Sequence, residues 1–223
     1  MTVRIGMPDP AALAVTIAAL ALMAGTAQVS RAAAIPYPNV GTPNPISYTF
    51  TAAASGHVIA YFAGSGASYD EQLGMLINGV PSPAGFGLDD HTSAIGQSFD
   101  LGTVNAGDAL TFVINVSSPA LGLVYSDPSL NGLYDTDGTK GHNHIYSTPY
   151  LASSGLLDPS IPSGTYVAFE DLQFPNSDFN YFDETYVFTD VAATPSVPDA
   201  SCSLGLLSLG LAGIGLLRRR LCD

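Results

Sequence analysis

Asn105-Ala106-Gly107-Asp108-Ala109-Leu110-Thr111-Phe112-Val113-Ile114-Asn115-Val116 decides the fold. Its first four residues are turn formers, because Gly accepts positive φ and Asn and Asp hydrogen-bond their own backbone. The eight that follow are rich in β-branched and aromatic side chains and form the strongest strand of the chain.

Working outward, the same strand period recurs on both sides. In Ile46-Ser47-Tyr48-Thr49-Phe50-Thr51 the apolar residues alternate, which predicts a strand with one buried face. His57 to Phe62, Gln72 to Ile77, Ser98 to Leu101, Leu121 to Tyr125, His144 to Tyr146, Thr165 to Phe169 and Thr185 to Thr189 bring the set to about nine. Asn78-Gly79 closes the third of these as a tight hairpin turn. Gly and Pro punctuate the chain, and no amphipathic helix stands out between Ile35 and Val191. The expectation is an all-β domain, an antiparallel two-sheet sandwich of jelly-roll-like type over residues 46–191. A Pro-rich lead-in covers 35–45 and a linker with a sorting motif covers 192–199.

Both ends differ from this middle. Residues 1–34 read as a secretory signal peptide: Arg4 gives a basic start, Ala11 to Ala24 is an apolar run, and Ala32-Ala33-Ala34 offers a cleavage site, with a cut after Ala27 as the alternative. At the other end, residues 200–217 carry no charge, and eighteen residues at a helical rise give about 27 Å, enough for a hydrocarbon core of about 30 Å. Arg218, Arg219 and Arg220 in the basic tail 218–223 would hold that end on the cytoplasmic side.

The ordered triple of Val197-Pro198-Asp199-Ala200-Ser201, the Gly/Leu helix and Arg218-Arg219-Arg220 resembles the C-terminal sorting signal of bacterial exosortase substrates, the PEP-CTERM group and its VPD-type variants. The resemblance implies export across the inner membrane and transient anchoring by the C-terminal helix. An exosortase-type enzyme would then cut near the motif, leaving the product at the cell surface or outside the cell. Ala200 and Cys202 depart from the pattern and leave the subtype open. The other reading of the same residues is a permanent single-span anchor.

Charge narrows the possibilities for the domain itself. Of 19 Asp and Glu, all but Asp9, Asp199 and Asp223 lie in it, against Lys140 alone. With no cations to meet phosphates, a nucleic-acid partner is not expected. Both cysteines, Cys202 and Cys222, fall in the tail, so the exported part has no disulfide to stabilise it. The acids either solubilise the surface or converge on a divalent cation.

Convergence is suggested by Phe169-Glu170-Asp171, a loop, then Asp178-Phe179-Asn180-Tyr181-Phe182-Asp183-Glu184. Calcium takes six to eight oxygens from carboxylates, amides and backbone. Asp178 and Asn180 are two apart and point the same way in an extended segment, and Glu170 or Asp171 meets them across the turn. This hairpin resembles a family of bacterial surface domains of unknown function marked by F-E-D, a loop, and D-F-N followed by another Asp. That likeness implies a β-sandwich with a Ca2+ site, with the displaced Asp183 as the later acid. The candidate ligands are Glu170, Asp171, Asp178, Asn180 and Asp183, joined by Asp70 and Glu71 from the Tyr69-to-Met75 segment. A solvated acidic hairpin without an ion is the competing reading.

Asp135-Thr136-Asp137-Gly138 opens like a calcium loop but lacks the later acids, so a plain turn accounts for it. His142 and His144 lie two apart, as in some transition-metal sites, but have no third ligand close in sequence. The chain shows no Gly-x-Ser-x-Gly, phosphate loop or HExxH, and an enzyme is not expected. The expected function is a non-enzymatic surface or extracellular-matrix protein, a calcium-stabilised sandwich. A lectin-like module on exopolysaccharide is the alternative, with Tyr125, Tyr134, Tyr146 and Tyr150 standing in for absent Trp.

Overall fold

The computed structural model describes residues 34–139 and 141–196. In chain order its strands are β1 (Ser47–Ala52), β2 (Gly56–Ser65), β3 (Asp70–Ile77), β4 (Val80–Pro81), β5 (Gly87–Asp89) and β6 (Ser98–Val104). They continue as β7 (Ala109–Ser118), β8 (Gly122–Tyr125), β9 (Ile145–Tyr150), β10 (Gly164–Phe169), β11 (Glu184–Phe188) and β12 (Val191–Ser196). One antiparallel sheet runs β12-β1-β7-β3-β4, with β5 on β3 and β8 on β7; the other runs β6-β2-β11-β10-β9. All nine expected strands are present.

β7 behaves as its sequence dictates. Leu110, Phe112, Ile114 and Val116 face the core, and the Asn105–Asp108 turn before it is closed by Asp108 N donating to Asn105 O at 3.0 Å. The core lies between the sheets. Phe50, Leu73, Met75 and Phe112 enter from one side and Phe62, Val167, Phe169, Tyr186 and Phe188 from the other. Phe112 and Phe188 stack across the gap with centroids 3.8 Å apart. Burying each such ring contributes about 1.5–3 kcal/mol. Asn78 and Gly79 both take positive φ, so the expected β3–β4 hairpin turn forms.

Two expectations at the domain edges are corrected. Residues 192–196, read as linker, form most of β12, which pairs with β1 along its whole length from Ser47↔Ser196 to Ala52↔Val191. An edge strand tolerates Pro195, which cannot donate to a further neighbour. The Pro-rich lead-in is likewise built into the fold. Tyr37 is buried with Tyr150, Ile161, Tyr166, Tyr181 and Val187 in a second core on the outer face of the β10–β11 sheet. Asn44 fastens it, with its N–H donating to Tyr181 Oη at 2.8 Å and its amide to Ile145 O at 2.9 Å.

Candidate metal centre

β10 runs out at Phe169 and β11 starts at Glu184, so the acidic loop is a long connection between paired neighbours. Its two feet are pinned together. Glu170 N donates to His144 O at 2.9 Å, Asp171 N to Asp183 Oδ2 at 2.9 Å, and Asp183 N to Phe169 O at 3.2 Å. The loop between them is strained, since Phe179 and Tyr181 both sit at positive φ, 54° and 51°, which bulky residues avoid. Packing holds them there: Tyr181 is anchored by Asn44, and Phe179 lies edge-on to Phe174. The loop also docks on the end of β2, where Gly66 N donates to Phe182 O at 2.9 Å. Any side chain at Gly66 would run into the Phe182 ring, 2.7 Å from a Cβ there.

These restraints gather Glu170, Asp171 and Asp183, all buried, with one carboxylate oxygen from each within 4.8 Å of the others. Two oxygens bound to one calcium at about 2.4 Å can be no further apart than that. Burial pushes Asp183 up to about 9, with the Asp171 and Glu170 charges adding to it. Burial pushes Glu170 up to about 7, reinforced by Asp178. Asp171 is raised by burial as well.

Glu71 joins from the facing sheet. Along β3 it shares the inward parity of Leu73 and Met75, and its carboxyl lies against that of Asp171. Burial and the neighbouring Glu184 push it up to about 12. Both of its oxygens lack a hydrogen-bond partner, as do both of Glu184, one of Glu170 and one of Asp90.

The remaining expected ligands are placed differently. Asp70 has the opposite parity on β3, is exposed, and pairs with His91 at 2.7 Å, outside the cluster. Asp178 is exposed and closes the loop from without: its oxygens accept from Asn180 N at 3.0 Å and Asn180 Nδ2 at 2.8 Å. Asn180 Oδ1 accepts from Phe182 N at 2.7 Å and is spent on the turn. Asn180 N also donates to Glu170 Oε2 at 3.2 Å, so this pair shapes the site from the loop backbone.

Two further buried acids lie beside the cluster and are absent from the expected ligands. Glu184 was read as part of the acidic loop only, although its alternation with Tyr186 and Phe188 marks it as inward-facing. Asp90 follows the short β5 and carries no periodic signal. It is fixed by Glu71 N, which donates to its Oδ1 at 2.9 Å.

Among the described residues, what could neutralise this cluster is scarce. All six Lys and Arg lie outside the described residues. The four histidines are each committed to an aspartate: His57 to Asp100, His91 to Asp70, His142 to Asp137 and His144 to Asp135. His142 and His144 both pack on Phe174 but serve different acids. His144 is fully buried, Nδ1 donating to Glu170 O at 2.9 Å and Nε2 facing Asp135 Oδ1 at 3.0 Å. It supports the metal candidate through the backbone of Glu170. Asp137 caps a turn, accepting from Thr139 N at 2.9 Å, so that stretch is a turn as expected.

An oxygen-only donor set of buried carboxylates suits a hard divalent cation. The expected signal peptide (all but Ala34), the expected helix over 200–217 and the stretch from Val197 to Arg220 lie outside the described residues. Among those described, no helix is long and apolar enough to cross a membrane. No match was found among curated proteins or among solved structures. Residues 196–221 match the VPDSG-CTERM motif, and the chain thus carries an exosortase-type C-terminal signal that fits export to the cell surface.

Proposed function

We propose that this is a non-enzymatic surface or matrix protein whose sandwich is stabilised by calcium at Glu170, Asp171 and Asp183, with Glu71 beside them. An exosortase-type enzyme removes its tail after export. The observation that carries the calcium reading is the set of buried carboxylate oxygens without partners, in a region where the described residues supply neither Lys nor Arg. A bare buried carboxylate costs several kcal/mol, and a bound cation offsets that cost for several at once. The likeness of Phe169-Glu170-Asp171 and Asp178-Phe179-Asn180 to surface domains with such a hairpin supports it. The non-enzymatic reading rests on the same burial, since Glu71 and Glu184 are sealed between the sheets, where no substrate reaches them.

The test is calorimetry of the full chain in mild detergent, with calcium and with chelator. A ligand of the folded state alone must raise the melting midpoint, and an unchanged midpoint would sink the calcium reading. Membership of a secreted matrix is tested by following the tail in cells: a shortened product outside the membrane supports processing, a full-length membrane-bound one supports a retained anchor.

The lectin-like alternative has less to stand on. Tyr134 and Tyr150 are buried, leaving Tyr125 and Tyr146 half-exposed. The cavity of about 380 Å³ that Tyr125 and Tyr134 help to line is otherwise walled mainly by Leu76, Leu121, Leu123, Leu130 and Leu133, whose side chains offer no hydrogen bonds to sugar hydroxyls. A glycan array with a clear hit would restore it.

A further inference from the structure

We propose that the sandwich holds a second divalent cation, between its two sheets, on Glu71 of β3 and Glu184 of β11, with Asp90 at its edge and Asp171 shared with the outer ion. The inference rests on the calcium reading and extends it to a two-ion centre.

The outer trio cannot account for the acids beneath it. Glu184 has no exposed surface, and neither of its carboxylate oxygens meets a donor; the same is true of Glu71. Asp90 Oδ2 is also buried and unpartnered, with only His91 Nδ1 approaching, at 3.4 Å. Five oxygens on three side chains are therefore unpaired in one place. These groups perturb one another: Glu184 is the strongest charged neighbour of Glu71, and Asp90 of Glu184. The two glutamates come from opposite sheets, each on the inward parity of its strand, so they face into a common space.

Among the described residues, the outer trio is the one set whose oxygens already stand within the span of a single ion. The inner carboxyls lie beside that set, bordering it where Glu71 lies against Asp171.

Protons are the competing explanation. A proton shared by Glu71 and Asp171 would relieve one contact. On Glu184 a proton has the Tyr186 hydroxyl as its acceptor, but that hydroxyl's own hydrogen goes to Leu88 O at 3.3 Å, so the other Glu184 oxygen still meets no donor. Neutralising Glu184 would remove its charge and still leave a buried oxygen without a hydrogen bond, a state that folded proteins rarely keep. A cation satisfies both oxygens and draws the sheets together.

The experiment counts ions. The full chain in mild detergent is stripped with chelator, and calcium stoichiometry is measured by titration calorimetry and by elemental analysis after dialysis. Two calcium ions per chain are expected, falling to one in Glu184→Gln and in Asp183→Asn, with circular dichroism confirming the strands. One ion in the wild type overturns the inner site and leaves the outer reading intact; none overturns both. Two ions in the wild type that persist in Glu184→Gln put the second elsewhere and also overturn the proposal. The wild-type count decides between one and two even if a variant fails to fold.

Discussion

Asp108, in the turn before β7, and Asp183, at the foot of β11, carry the same carboxyl group in opposite circumstances. Asp108 is exposed, and its oxygens accept from Asn105 N at 2.7 Å and Asn78 Nδ2 at 2.9 Å. Those donors, the Asn78 amide first, hold it below the usual carboxylate range. Asp158 is likewise lowered by its Ser160 hydroxyl and backbone donors. Asp183 receives one backbone N–H and is packed among Asp171, Glu170 and Glu71. The turn acids are complete within the protein, whereas the hairpin leaves one buried oxygen of Glu170 and both of Glu184 without a donor. In a chain this acidic, the number of carboxylates says little; the donors around each one separate surface from site.

That contrast can be broken most forcefully at Asp135, whose buried Oδ1 takes both His144 and Phe174 N while its Oδ2 has no partner. His144→Ala leaves Asp135 and the Glu170 carbonyl without their imidazole and should cost about 3–5 kcal/mol. Chemical denaturation in chelator measures it. A loss under about 1 kcal/mol would mean that Asp135 does not need the ring.

Withdrawing calcium comes next. At a hundredfold excess over Kd, one site adds about 2.7 kcal/mol. At roughly 2–4 °C per kcal/mol for a domain of this size, the midpoint should fall by about 5–10 °C on chelation. Asp183→Asn should shrink that difference to what the inner site leaves, with the metal-free midpoint equal or higher, because the amide is neutral without a proton and keeps an acceptor for Asp171 N.

Acidity sharpens the comparison further. Glu170 and Asp183 have raised values in the folded chain, so metal-free folded protein holds protons that the unfolded chain has released. Their stability contribution is fully present below the unfolded values near 4. It is lost as pH rises, up to about 7 for Glu170 and about 9 for Asp183. In chelator, the midpoint should therefore fall between pH 5 and pH 8. In excess calcium it should rise over the same range, since protons compete with the ion. Parallel slopes in the two buffers would remove the ion from the argument. Asp108→Ala should have the smallest effect, a slight drop of equal size with and without calcium.

Much of this was legible from residue order because a strand has period two. Alternation located nine strands, and the same rule separates Glu71 from Asp70, one turned in beside Leu73 and the other out to His91. The same alternation turns Glu184 inward with Tyr186 and Phe188, although the acidic loop beside it masks the pattern. Asp90 was not legible, because it is delivered by a bulged three-residue strand with no pattern to count. β12 was hidden by Ala192, Ala193 and Pro195, whose small or imino side chains carry no strand signal and are tolerated at an edge. The burial of His144 depends on the return of the 169–171 backbone from 26 residues further along, which no local pattern reports.

The pairing of β1 with β12 ties the closing of the sheet to the sorting motif. The first and last strands of the sheet are zipped together, Ser47 against Ser196, and the sorting motif begins at that same residue. A chain crossing the membrane from its N-terminus presents β1 early, and that edge stays open until nearly all the rest has emerged. Such distant closure is slow. It can finish only when the tail is itself arriving, so completion of the fold and presentation of the signal coincide. A chain cut short before residue 191 lacks both its closing strand and its address, and so an unfinished product is left unsorted.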